Sequence, residues 1–146
     1  MALDPTPVFD DVLARVQSVI GATKVYVAEV PEDKDIPVVN ALPVPFVSIY
    51  FGGPVRSSRD RHITTSRNDT TVLFFTVQAY APRADIARTI KGRIIEGLTG
   101  YRPVDGGEMI LAGGNTCTRA SNEVRPTQFL EEVQFTCRSN LSWNEL

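Results

Sequence analysis

The chain has 146 residues, which is enough for one domain with a hydrophobic core of its own. Hydrophobic residues make up 42% and charged residues 22%, and the net charge of −2 excludes a general attraction to nucleic acid or to an anionic membrane. No apolar run approaches the roughly 20 residues of a transmembrane helix, and the acidic N-terminus has no signal-peptide hydrophobic region. We therefore expect residues 1–146 to form a single domain that stays in the cytoplasm where it is made.

The first element predicted is a helix that begins at Thr6 or Pro7, with Thr6 as its cap, and ends at Gly21. Its apolar stripe consists of Val8, Val12, Val16, Val19 and Ile20. A strand follows over Lys24–Val30, where β-branched and aromatic residues are frequent. The next segment, Pro31–Pro45, contains four prolines and is expected to be an extended connection without a regular element.

A long polar loop separates the second and third predicted strands, Phe46–Phe51 and Thr70–Tyr80. The loop, Gly52–Asn68, carries four arginines: Arg56, Arg59, Arg61 and Arg67. A loop of this length inside a small domain is usually functional or mobile. Two interpretations stay open: a solvated loop whose charges keep it soluble, and an arm that docks on another protein. Tracking of a phosphate backbone is less well supported, because no aromatic residue is interleaved with the arginines.

The second half of the chain begins with a helix over Arg83–Leu98, which has apolar residues at helical spacing. Glu108–Ala112 and Asn115–Val124 are predicted to pair as a hairpin around Gly113 and Gly114, and a last strand covers Thr127–Leu141. The order is therefore α-β-β-β-α-β-β-β. Runs of adjacent strands indicate an α+β fold, with a mainly antiparallel or mixed sheet and both helices packed on one face.

The two helices cover only one face of such a sheet, but the second and third strands are apolar on both faces. The residues expected on the uncovered side of the third strand are Val72, Phe74 and Tyr80. A neighbouring subunit is the simplest cover for them, so these three residues are predicted to form a subunit interface.

No catalytic or metal-binding constellation is evident in the sequence. The only histidine, His62, lies in the arginine-bearing loop, and no cysteine or histidine spacing fits a zinc site. Cys117 and Cys137 are interpreted as two reduced, partly buried thiols. The glycine pairs lack the spacing of phosphate-binding loops. We therefore expect no enzymatic activity and no cofactor.

The arrangement resembles the tail terminator (tail-completion) proteins of bacteriophages with long, non-contractile tails. The resemblance covers most of the chain: the N-terminal helix, the strand KVYVAEVPED, the proline-rich approach LPVPFVSIYFGG, the polar loop, the segment TTVLFFTVQAYAPRADIARTIKGRIIEGLTG, and the final FLEEVQFTCRSNLSW. It rests on the order of these elements and not on a signature motif.

The resemblance implies a homohexameric ring that is assembled in the host cytoplasm and becomes part of the virion. Such a ring caps the finished tail tube, stops its polymerisation and offers a surface to the head–tail connector protein. The implied partners are other copies of the chain, the major tail tube protein and the connector, with DNA passing through the lumen without specific binding. No membrane, cofactor or catalytic residue is implied.

Three other functions are weighed against this one. A head–tail connector protein of the same virion has a similar size and layout. The other two are a small-ligand or nucleotide-modifying enzyme on an α+β fold, and a cytoplasmic regulatory or binding domain.

Overall fold

The computed structural model describes residues 4–32, 35–56, 71–115, 118–121 and 128–139. Its elements in chain order are α1 (Thr6–Ile20), β1 (Lys24–Val27), β2 (Val38–Val39), β3 (Leu42–Pro43), β4 (Phe46–Arg56), β5 (Thr71–Ala81), α2 (Ala84–Leu98), β6 (Gly106–Gly114), β7 (Arg119–Ser121) and β8 (Gln128–Ser139).

The main sheet has six strands, in the spatial order β1-β4-β5-β8-β6, with β7 also paired to β8. β1 runs parallel to β4, and the other pairs are antiparallel. β2 and β3 form a separate two-stranded hairpin. The predicted α+β class, with a mixed and mainly antiparallel sheet, is confirmed.

Both helices pack on one face of the sheet, as predicted, and the main hydrophobic core lies between the helices and that face. Each helix contributes every third or fourth residue: Val8, Val12, Val16 and Ile20 from α1, and Ala87, Ile90, Ile94 and Leu98 from α2. The sheet contributes alternate residues of β4, β5 and β8, among them Ile49, Phe75 and Phe135. The ring of Phe9 stacks on Phe51 at 4.6 Å between centroids and meets Phe75 edge-on.

The start of α1 differs from the prediction in its capping. Thr6 is the first helical residue and not the cap; the cap position is Pro5, which has no side-chain hydrogen bond to the helix. The backbone N–H of Thr6 donates instead to Asp4 Oδ1 at 3.0 Å. Hydrogen bonds with Thr6 lower the pKa of the Asp4 carboxyl.

The proline-rich connection contains regular structure that the sequence prediction missed. Val38 pairs with Pro43 and Val39 with Leu42, so residues 38–43 form a hairpin. Its two loop residues, Asn40 and Ala41, have φ values of 51° and 65°, as type I′ turns require. β1 is also shorter than predicted, because the chain turns away at Ala28, whose φ is 57°.

β4 continues five residues beyond its predicted end and reaches Arg56. The pairing with β5 shifts register between Gly52 and Val55, which makes room for Pro54 at an irregular position of the strand. Gly53 has φ 97° and lies against β5, where an added Cβ would be 2.7 Å from the carbonyl oxygen of Val72. The start of the predicted loop is therefore strand, and residues 57–70 lie outside the described ranges.

The hairpin predicted around Gly113 and Gly114 is wrong. β6 runs through both glycines and pairs with β8. β7 pairs with the N-terminal end of the same strand, at Gln128–Leu130. Gly114 lies so close to β8 that a Cβ there would collide with the carbonyl oxygen of Glu132. Gly114 therefore permits close approach to a neighbouring strand, and neither glycine forms a turn.

Candidate assembly interface

The sheet face opposite the helices is called the outer face here, and the described residues of the chain cover only one half of it. Ile36, Phe46 and Tyr80 form a second, small core there, with Tyr26 and Leu130 packed around it. The rings of Phe46 and Tyr80 stack with centroids 4.7 Å apart. The proline-rich connection thus provides part of the cover that we had expected from a neighbouring subunit.

Tyr80 is fully buried in this small core, and its hydroxyl donates to Gln78 Oε1 at 3.0 Å. Its side chain cannot contribute to a surface, in contrast to the predicted interface of Val72, Phe74 and Tyr80. The sequence placed Tyr80 on the correct face of β5, but gave no sign that Ile36 folds back over it. Val72 is half-buried and Phe74 is exposed, so these two residues remain available on the outer face.

The other half of the outer face carries a row of small and apolar residues that crosses four strands. Gly52 on β4 lies opposite Phe74 on β5, Phe74 lies opposite Thr136 on β8, and Thr136 lies opposite Ile110 on β6. Phe74 is 42% exposed and Ile110 is 55% exposed. Val55 and Val72 form a cross-strand pair beside this row. We call these six residues the open half-face.

Positive charge borders the open half-face. Arg138 is exposed and lies opposite Val72 in the sheet register. Arg56 ends β4 opposite Thr71, so its backbone is at the same border, although its side chain is outside the description. Arg59, Arg61 and Arg67 belong to residues 57–70, which are not described, so the predicted docking loop stays a prediction.

Negative charge gathers at the other end of the molecule, around a cavity of about 630 Å³ beside β1. Three carboxylate residues line it: Glu29, Glu32 and Asp35. Lys24 also lines this cavity, and its ammonium group lies 5.0 Å from the centroid of the Tyr26 ring. The three carboxylate residues of this acidic cavity come shortly before the β2–β3 hairpin in the sequence.

A polar network joins α2 to the sheet near the end of β6. Lys91 Nζ donates to the backbone and side-chain oxygens of Asn115 at 3.2 Å and lies 3.6 Å from the Glu131 carboxylate. Asn115 Nδ2 donates to Glu131 Oε2, and Asn115 Oδ1 accepts from the Glu132 backbone. Lys91, Asn115 and Glu131 thus contact one another, and the network links α2 to β8.

Reactive groups in the described part of the chain are few. No group of three or more His, Cys, Asp or Glu residues within the described ranges is placed to hold a metal ion. Cys137 is buried and its thiol donates to the Gly107 carbonyl at 3.3 Å; burial raises its pKa, against a smaller opposing effect of that hydrogen bond. His62 and Cys117 lie outside the described residues. No helix in the described ranges combines the length and the hydropathy that crossing a membrane would require.

Sequence reasoning did not single out two parts of this surface, the exposed hairpin at 38–43 and Ile110. The available signal for the hairpin was Asn40, a residue type that tolerates positive φ, between two short apolar pairs. The signal for Ile110 was its position next to Met109 in a strand. Met109 is buried and Ile110 therefore points to the opposite face.

The sequence matches no protein-family model and no curated protein. A search of solved structures finds a similar chain in a structure described as the virion of a native gene transfer agent (GTA) particle. The TM-score is 0.54 and the sequence identity 15%, and the similarity covers 94% of this chain and 94% of that chain. At this level of identity, the comparison establishes that the two chains share a fold.

Proposed function

We propose that this chain is a structural protein of a phage-type virion and that its copies form a ring at the end of the tail tube. In this function the ring caps the tube, ends its polymerisation and presents a joining surface to the head. The observation that carries the proposal is the fold shared, over nearly the full length of both chains, with a chain of a gene transfer agent virion.

The open half-face supports an assembling role. Phe74, Ile110 and Val55 are large apolar side chains that remain exposed on the same half of one sheet face. Exposed apolar residues gathered on one surface are typical of protein–protein contacts. A ring of identical subunits would cover them with a neighbouring copy, and a hexamer is the stoichiometry that the family resemblance implies.

The four arginines of the predicted docking loop are proposed to dock on the end of the tail tube or on the adjacent subunit. Arg56, Arg59, Arg61 and Arg67 offer planar guanidinium groups that form paired hydrogen bonds with carboxylates. The proposed partners are the major tail tube protein on one side of the ring and the head–tail connector protein on the other. A net charge of −2 is compatible with DNA passing through the lumen without being held.

Deletion of the gene in the particle-producing host tests this function, with electron microscopy of the particles as the readout. Loss of a terminator gives tail tubes of variable, excessive length that are not joined to heads, and wild-type protein supplied in trans restores normal tails. Normal, head-joined tails from the deletion strain would contradict a virion role.

The same images distinguish the head–tail connector alternative. Loss of a connector leaves tails of uniform, normal length beside unjoined heads, because tube polymerisation is still terminated. Both losses leave heads unjoined, so tail length is the measurement that distinguishes a terminator from a connector.

A further inference from the structure

We propose that the ring is built by a specific head-to-tail contact, in which the β2–β3 hairpin of one copy packs into the open half-face of the next copy. This inference rests on the proposed ring and identifies the two surfaces that build it. The partner at each surface is a second copy of this chain.

The hairpin has the composition of an interface element. Val38, Val39 and Leu42 are 55%, 60% and 52% exposed, and residues 38–43, VVNALP, contain no charge. Val39 and Leu42 are a cross-strand pair and share one face of the ribbon, whereas Val38 lies on the other face. An exposed apolar pair on an uncharged ribbon is suited to a contact with another protein. We call Val39 and Leu42 the hairpin patch.

The base of the hairpin is fixed to its own subunit, so the patch is formed in advance of any contact. Ile36 is buried against Phe46 and Tyr80, Pro43 is buried, and the backbone N–H of Val44 donates to the Pro37 carbonyl at 2.8 Å. A pre-formed element loses little conformational entropy on binding, which favours association.

The open half-face offers a receiving surface of matching chemistry. It contains no charged residue. Gly52 lies beside Phe74 and, because it has no side chain, leaves a shallow depression in the surface next to the Phe74 ring. An aliphatic side chain from a neighbouring copy would contact the exposed ring of Phe74 there. Ile110 stands two strands away in the same row, on the far side of Thr136.

The charges around the two surfaces are complementary. The hairpin follows the acidic cavity of Glu29, Glu32 and Asp35, and the open half-face is bordered by Arg138 and by the backbone position of Arg56. A head-to-tail contact brings the acidic end of one copy to the basic end of the next. Complementary rims of this kind favour one orientation of docking over others.

The two surfaces cannot meet within one chain. Ile36 holds the hairpin base at Tyr80, which is six residues, or about 20 Å, along β5 from Phe74. Val39 is only three residues from Ile36, a reach of about 10 Å at full extension. Because each copy contributes two different surfaces, the contact is heterologous, and repeated contacts close into a ring when the rotation permits.

Disulfide cross-linking tests this contact. In a Cys117→Ser background, we would prepare Val39→Cys, Phe74→Cys and the double variant, and oxidise each in the oligomeric fraction and in purified particles. Both positions are exposed, so the fold should be retained, and circular dichroism checks this. The control is Val39→Cys combined with Thr89→Cys, since Thr89 is exposed on α2, away from the outer face.

The expected result is a ladder of covalent multimers, beyond the dimer, for Val39→Cys/Phe74→Cys only. A mixture of the two single variants should give a cross-linked dimer, and the control double variant should give no ladder. A double variant that stops at the dimer would overturn the ring contact in favour of two-fold pairing. An intact oligomer without cross-links would overturn the contact and leave the proposed function standing. A wild-type chain that neither associates nor enters particles would refute the proposed function itself.

Discussion

Gly97 on α2 and Val19 on α1 lie directly against each other where the two helices pack together. A Cβ at position 97 would lie 2.8 Å from Val19 Cγ1 and closer still to Cγ2. The carbonyl oxygen of Gly97 also accepts a hydrogen bond from Arg15 Nε at 3.0 Å. The helices as packed therefore leave no room for a side chain at position 97.

We predict that Gly97→Ala lowers the free energy of unfolding by about 1–3 kcal/mol, the usual cost of forcing a methyl group into a packed site. Both Cγ atoms and the Cβ of Val19 are close, so rotation of the valine does not remove the clash. Chemical denaturation measures the effect. Gly92→Ala is the matched control on the same helix: nothing lies within 4 Å of its added Cβ, and it should gain roughly 0.5–1 kcal/mol. A second substitution, Val19→Ala, should restore part of the loss in Gly97→Ala; equal stability of the two glycine variants would contradict this account.

Ile90→Ala should cost about 2–5 kcal/mol of unfolding free energy, because it leaves a cavity in the main core. Ile90 is 6% exposed and packs in the cluster shared by both helices and the sheet. Thr89→Ala, the neighbouring exposed position, should change stability by no more than about 0.5 kcal/mol. Thermal and denaturant unfolding of the two variants measure the difference, and an unchanged midpoint for Ile90→Ala would refute the assigned core stripe.

We predict that the buried thiol of Cys137 makes stability depend on pH in the alkaline range. Burial raises its pKa in the folded state above its ordinary value of 9.0, so the unfolded chain loses the proton first as pH increases. Its contribution is complete below about pH 9 and is lost as pH rises through the folded pKa. The difference in unfolding free energy between wild type and Cys137→Ala should therefore shrink above pH 9. A difference that is constant from pH 7 to pH 10.5 would contradict this.

The sequence predicted the helices well because their signals are local. The stripes Val8–Ile20 and Ala87–Leu98 repeat at helical spacing, and their members are buried as expected, except that Val19 is only partly buried. It failed where distant residues decide the structure. β6 pairs with β8 and not with the strand that follows it in the sequence. Ile36 packs over Tyr80, although it belongs to a proline-rich segment that was predicted to be irregular. The same long-range packing decides which half of the outer face stays open, so Phe74 was identified as a surface residue and Ile110 was not.

We predict that His62→Ala leaves assembly unchanged and that no catalytic activity is lost in this variant. His62 is the only histidine of the chain, and a Ser–His–acid arrangement would depend on it. Particle yield and infectivity or gene-transfer titre measure assembly, and a panel of ester, phosphoester and nucleotide substrates measures hydrolysis. A turnover that is present in the wild type and lost in His62→Ala would refute the structural role.

The last prediction concerns the arginines at positions 56, 59, 61 and 67. Replacing all four with serine should leave the folded domain stable, because charges in a polar loop are expected to contribute little to stability. It should impair tail joining or length control, since the proposed docking uses paired hydrogen bonds from guanidinium groups to carboxylates. Complementation of the deletion strain, scored by electron microscopy of tails, measures the defect, and binding to the partner in vitro should weaken as salt increases.

Replacing the same four arginines with lysine provides the matched control, because it keeps the charge and removes the planar fork. A lysine variant as defective as the serine variant indicates that the paired geometry is required. A lysine variant that restores normal tails indicates that positive charge at these four positions is sufficient. Normal-length, head-joined tails from the serine variant would show that the four arginines are solvated surface and take no part in docking.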